Sequence, residues 1–208
     1  MDRFRSFVFK VSKNHPRSVL VLKCDIRKFF ASIDQGILMH IIARYVPSSD
    51  IQALIGEIVG SFHSTTLGKG LPLGNLTSQL LVNIYMNEFD QFVKHRLKAR
   101  YYVRYADDFV IMSKDQKWLE ELIPRIAKFL EEYLALSLHP DKVYIKTLAS
   151  GVDFLGWVHF RDHRVLRTST KRRMLKKLRI DDREAVRESY GGLLVHGNAQ
   201  KLSSRIKN

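Results

Sequence analysis

The chain has 208 residues, enough for one large domain, or one domain with a small appendage, around a real hydrophobic core. Apolar residues at 45% and charged residues at 27% exclude wholesale disorder and fibrous repeats. Thirty-five Lys and Arg against 21 Asp and Glu leave a formal net charge of +14, which points to a polyanionic partner such as nucleic acid, with acidic lipid the weaker alternative. The single cysteine, Cys24, excludes an internal disulfide framework and a cysteine-rich zinc site. No apolar run reaches the length of a membrane span and the start lacks a signal-peptide pattern, so the chain is expected to be cytoplasmic with no membrane partner.

In chain order, a highly charged opening ends in Asn14-His15-Pro16, a breaker. Ser18 to Asp25 then reads as a buried strand that ends on an acid. Residues 35–45 and 50–62 carry apolar residues at helical spacing, with Pro47 to Asp50 as break and cap, which predicts a helical hairpin. His63 to Gly74 holds three glycines and one proline and cannot be regular, whereas Thr77 to Leu97 returns to helical periodicity. Arg100 to Ser113 reads as two short strands around Ala106-Asp107, a hairpin with acids at its exposed tip. Trp118 to Leu134 is an amphipathic helix in spite of Pro124, and residues 142–147 and 152–160 are strand-like. Beyond Arg161 the composition turns basic and ends in a predicted helix, after which Gly191 to Asn208 reads as a polar tail. The pattern predicts an α+β fold with a boundary near residue 160.

An acid at the end of a buried strand and an acid pair at a hairpin tip are costly, because clustered like charges raise each other's pKa. A cation resolves that cost. Two divalent ions about 3.5–4 Å apart on carboxylates are a known device for phosphoryl transfer. Magnesium suits such a site, since it keeps water and substrate phosphates among its ligands. Taken alone, the Asp-Asp pair reads more readily as solvated turn residues and is weak evidence for a site.

Four segments in order carry more than any one of them: Val21-Leu-Lys-Cys-Asp25-Ile-Arg-Lys-Phe-Phe30, Gly70-Leu-Pro-Leu-Gly-Asn-Leu-Thr-Ser-Gln79, Tyr105-Ala-Asp107-Asp108 and Phe154-Leu-Gly156. Together they resemble the palm motifs of reverse transcriptases. The resemblance covers about residues 18 to 180 and implies a right-hand polymerase: a palm of antiparallel sheet packed on helices, a primer grip and the start of a helical thumb. It makes residues 1–160 palm through primer grip, and 161–208 a basic thumb-like segment and tail. It implies RNA-directed DNA polymerisation by two Mg²⁺ ions, with Mn²⁺ as a substitute. Asp25 and Asp107 become the principal metal ligands and Asp108 the third catalytic and metal-site acid. Phe30 would crowd the sugar 2′ position; its other reading is a core aromatic. Leu73, Gly74, Ser78 and Gln79 would line the nascent base pair, where glycine permits close backbone approach. Lys142 matches a lysine that assists the departing pyrophosphate, or is a surface charge. Phe154, Leu155, Gly156 and Trp157 look like the primer grip, with core packing the alternative for the two aromatics. Lys171, Arg172, Arg173 and Lys176 would contact phosphates, or form a solvated helical face. The implied partners are an RNA template, a DNA primer and deoxynucleoside triphosphates.

Many reverse transcriptases carry Gln before the glycine and Pro after the serine of the second motif, where this chain has Leu73 and Gln79. That departure, with Val152-Asp-Phe-Leu-Gly-Trp157, resembles the enzymes of diversity-generating retroelements. Those enzymes copy a template-repeat RNA with errors at adenine and work with a small basic accessory protein. Only 24 residues precede Asp25, so the fingers region is expected to be largely missing and the chain to be a fragment or a degenerate copy. A catalytically silent RNA-binding remnant is therefore the alternative reading. A group II intron-type enzyme is a third, disfavoured by Leu73 and by the lack of a following endonuclease-like segment.

Overall fold

The computed structural model describes residues 2–13, 18–72, 75–181 and 183–207. Leu73 and Gly74 lie outside the described residues. Four strands form the central sheet: β1 (Leu20–Asp25), β2 (Tyr102–Tyr105), β3 (Asp108–Ser113) and β4 (Tyr144–Thr147), in the order β2-β3-β1-β4 with every neighbouring pair antiparallel. Strand alternation divides its residues between two faces. Leu22, Cys24, Phe109 and Ile111 enter the larger core, and Val21, Val110 and Met112 enter a smaller one on the other side.

The larger core is covered by helices. They are α2 (Phe29–Ser32), α3 (Gln35–Ala43), α4 (Ser49–Gly60), α5 (Leu76–Gln91), which continues into a π-helical turn (Phe92–Arg96), and α6 (Gln116–Leu134). Caps decide several of these starts: Asp34, Asn75 and Asp115 each accept a backbone N–H two or three residues on. Pro124 sits inside α6, whose apolar stripe Leu119, Leu122, Ile126, Leu130 and Leu134 is fully buried. The glycine-rich loop after α4 is irregular, as expected, and is held against the start of α3 by Gln35, whose Nε2 donates to the carbonyls of Val59, Phe62 and Gly70 at 3.0, 2.6 and 3.1 Å.

Two segments differ from the sequence reading. The charged opening is helical: α1 (Asp2–Ser12) turns Phe4, Val8 and Val11 onto the smaller core, a spacing obscured by the surrounding charges. Gly191 onward is not a loose polar tail. After β5 (Val152–Phe154), β6 (Trp157–His159), β7 (Arg164–Leu166) and α7 (Thr168–Ile180), the chain forms α8 (Glu184–Leu194) and α9 (Gln200–Lys207). Leu194 and Ala199 join Leu166 and Met174 around Trp157 in a third core. Few apolar residues are needed because one indole fills its centre. The second sheet, β5-β6-β7, is antiparallel and runs through residue 160.

Candidate active site

The β1 to β3 register sets Asp25 directly opposite Asp108. A two-residue loop, Ala106-Asp107, joins β2 to β3 across the Tyr105–Asp108 pair, and Ala106 adopts φ 51°, an uncommon conformation for a side-chain-bearing residue. The tip is pinned on both sides. Ile26 donates its N–H to the carbonyl of Asp107 at 3.2 Å, and Arg104 Nη1 donates to the carbonyl of Ala106 at 3.2 Å. Arg104 is itself clamped on Asp90, at 2.9 Å from Nε and 2.8 Å from Nη2, and the Tyr102 hydroxyl donates to the same carboxylate at 2.7 Å. Strand alternation and this clamp bring the three acids to one end of the sheet.

Lys142 reaches that end because its loop is stitched to β1. His139 N–H donates to the Asp25 carbonyl at 2.8 Å, Arg27 N–H donates to Ser137 at 2.9 Å, and Lys142 Nζ stands 3.1 Å from Asp25 Oδ1. Sequence reading missed a second lysine. Lys23, two residues before Asp25 and so on the same face, is buried, with its Nζ 2.8 Å from Asp108 Oδ1. Its signal was there: a lysine inside an apolar strand run needs a counter-charge.

Burial, and then repulsion from Asp25, raises the Asp107 pKa, while Lys142 and Lys23 oppose the shift. Burial also raises that of Asp108, against its contact with Lys23 and with Asp25 and Asp107 adding to the rise. The site is thus an anionic end of a sheet held together by ammonium groups. Among the described residues no three His, Cys, Asp or Glu side chains converge as a ready-made metal cage. The donor set still suits Mg²⁺, which takes one or two carboxylates and completes its octahedron with water and phosphate oxygens. The Cys24 thiol, beside Asp25 in sequence, is buried and its pKa is pushed up to about 12, so it is no nucleophile.

The remaining candidates lie at graded distances from a role. Phe30 is half-buried against the larger core, edge-on to Phe29, and its carbonyl accepts from Leu71 N–H at 2.9 Å, which ties α2 to the segment leading to Leu73. Ser78 is buried and Gln79 exposed on the first turn of α5. Phe154 and Trp157 are core residues, Phe154 under α1 and Trp157 under α7 to α9. Between them Leu155 (φ 54°) and Gly156 (φ 79°) make a two-residue turn with both φ positive, which suits a right-twisted hairpin and leaves the backbone tip accessible. Arg172, Arg173 and Lys176 are exposed on α7, and Lys171 is half-buried.

Residues 2–159 match the family model described as "Reverse transcriptase (RNA-dependent DNA polymerase)". The chain belongs to the reverse transcriptase family. Similar curated proteins include Protein YkfC of Escherichia coli (strain K12), 28% identical over 188 residues that cover 73% of this chain and 48% of YkfC. The Group II intron-encoded protein LtrA of Lactococcus lactis subsp. cremoris is 25% identical over 221 residues, covering 72% of this chain and 35% of LtrA. The chain thus spans about half the length of YkfC and a third of LtrA. A solved structure of telomerase from Candida albicans aligns with 93% of this chain and 40% of its own at TM-score 0.59 and 14% identity. Apo telomerase from Candida tropicalis aligns with 76% and 34% at TM-score 0.59 and 13% identity. That likeness shows the fold: the reverse transcriptase palm is the antiparallel sheet on helices of a right-hand polymerase.

Proposed function

We propose that this chain is the catalytic palm of an RNA-directed DNA polymerase, with Asp25, Asp107 and Asp108 as its acids. The observation that carries the reading is the Asp25–Asp108 register with Asp107 at the adjoining tip and Lys142 on Asp25. Mg²⁺, or Mn²⁺ in its place, bound at Asp25 and Asp107 would activate the primer 3′-hydroxyl and stabilise the departing pyrophosphate. Lys23 holds Asp108 in place and offsets its charge. Lys142, half-exposed at 51% and on a short loop, is free to leave Asp25 for a phosphate and to supply a proton to it. Phe30 closes the sugar side, the Leu155-Gly156 turn with Phe154 beneath it seats the primer end, and Lys171, Arg172, Arg173 and Lys176 follow the duplex backbone as the beginning of a thumb from residue 161. The reaction takes an RNA template, a DNA primer and deoxynucleoside triphosphates.

The test is template-dependent extension of a primer on RNA, with Asp107→Asn as the comparison. Extension should fall by at least about a thousandfold, on the scale of removing a transition-state charge interaction of about 4 kcal/mol, while the fold is kept because repulsion is relieved. Undiminished extension by Asp107→Asn would remove the assignment.

We further infer a diversity-generating role from Leu73 before Gly74 and Gln79 after Ser78, with a small basic accessory protein as partner and the cytoplasm as its place. Among the described residues no helix is long and apolar enough to cross a membrane. An aliphatic residue at 73 removes an amide that would order the incoming nucleotide, and one such interaction is worth about tenfold in selectivity. Leu73→Gln should lower errors opposite template adenine in sequenced cDNA; equal error rates would clear Leu73 of the effect. The likeness to LtrA favours a second reading, a group II intron-type enzyme, for which the same cDNA should be faithful at adenine.

A further inference from the structure

The larger core ends in an aromatic ladder on the helical side of the palm, the face away from the acids. Phe109, adjacent to Asp108 but pointing into the helices, touches Phe89 edge-on with centroids 5.0 Å apart, and Phe89 touches Phe129 at 6.1 Å. From there the rings become parallel. Phe129 stacks on Phe92 at 4.1 Å and 11°, and on its other side Tyr133 stacks on Phe129 at 4.8 Å and 15°. The outermost ring, Tyr133, is 63% exposed. Phe92, Phe129 and Tyr133 form one wall of a groove of about 680 Å³ between α3, α5 with its π-helical turn, and α6.

Charge on the groove is one-sided. Arg96 and Arg125 are exposed on its lining, while the acid lining it, Glu88, is bonded to Arg44 at 3.0 Å. A run of parallel rings that ends on an exposed tyrosine, flanked by guanidinium groups, is the physical form of a platform for unpaired bases: every base has a π-face to continue the stack, and cations beside it take the phosphates. The π-helical turn serves this form by setting Phe92 and Arg96 on the same groove; such bulges concentrate at functional sites.

We propose that this groove binds single-stranded RNA, with a base stacked on Tyr133 and phosphates on Arg96 and Arg125. The choice of RNA over DNA rests on membership of an RNA-dependent polymerase family, in which the strand left unpaired outside the hybrid is the template. Binding here requires no catalysis, so its failure and the failure of the polymerase reading are separate results.

The experiment measures binding of the full chain to a fluorescent oligoadenylate RNA, its DNA counterpart and an RNA duplex of equal length across a salt series. Tyr133→Ala should weaken RNA binding about tenfold at every salt concentration, without changing the slope of log K against log salt, and should spare the duplex. Tyr133→Phe should bind as the parent does. The double variant Arg96→Ala, Arg125→Ala should flatten that slope by about 1.4, since each neutralised phosphate of a single strand contributes about 0.7. The proposal is overturned if Tyr133→Ala stays within about twofold of the parent, or weakens duplex and single strand equally, because no base is then stacked on the ring. Tighter binding of the DNA counterpart than of the RNA overturns the choice of RNA.

Discussion

Asp108 owes its place to a lysine that packing would ordinarily exclude. Lys23 enters a strand whose neighbours are buried on both sides, and it does so because its ammonium meets Asp108 at 2.8 Å. His159 makes the opposite choice and stays neutral. It is 2% exposed, lies 4.3 Å from the Phe4 ring, and its Nε2 is 3.2 Å from the Phe154 carbonyl, which assigns the Nε2–H tautomer. Burial lowers its pKa from 6.5 to about 4; the bond to Phe154 opposes the shift and the charge of Arg164 adds to it. A base with a depressed folded-state pKa lets the unfolded chain bind the proton first. Stability is therefore fully present above pH 6.5 and is lost as pH falls from 6.5 towards 4, by about 3 kcal/mol in all. Asp107 and Asp108, with raised pKa values, act in the opposite sense, gaining stability as pH falls. Comparing parent with His159→Gln isolates the histidine. Between pH 7 and 5 the parent should lose about 2 kcal/mol more than the variant in denaturant melts, and parallel pH profiles would reject the neutral buried ring.

Among the elements, the β5–β6 hairpin and the C-terminal helices depend on one side chain. Trp157 is 1% exposed, with the Arg164 guanidinium 5.6 Å from its ring and α7, α8 and α9 closing over it. Gly197, between α8 and α9, lies so close that a Cβ there would fall within the van der Waals surface of the indole. Gly197→Ala should thus cost about 2 kcal/mol by overpacking a ring that has nowhere to move. A thermal melt of this variant should fall by several degrees; an unchanged melting temperature would mean that α8 and α9 do not seat on Trp157. Sequence reading placed Trp157 in the grip, with core packing as its alternative, and took the segment from Gly191 as tail, because nothing local in that polar stretch announces that a distant indole needs covering. The acid-tipped hairpin was legible, since alternation and a two-residue loop are local; the clamp on it was not, because Asp90 and Arg104 are joined only by folding.

At the scale of the molecule, the surplus of 35 cations over 21 anions is unevenly placed. Asp25, Asp107 and Asp108 gather at one end of the sheet, while Arg172, Arg173 and Lys176 project from α7. Affinity for an RNA–DNA primer-template should therefore fall steeply with salt. Arg172→Ala with Lys176→Ala should reduce the slope of log K against log salt by roughly 2, about one for each phosphate that is no longer neutralised. A slope unchanged in the double variant would leave α7 as a merely solvated face.

By itself the sequence determined the class of fold and, α2 apart, the order of the strands and helices from Leu20 to Phe160, and it singled out the three acids as candidates, because periodicity, capping residues and short motifs are properties of neighbours in the chain. Tertiary structure alone decided that α1 covers the second face of the sheet, that Lys23 and Lys142 neutralise Asp108 and Asp25, and that Phe92, Phe129 and Tyr133 line up as one stack. Each of these joins residues far apart in sequence, or hidden among charges, whose meeting depends on sheet register and helix packing. Local propensity carries no term for such meetings.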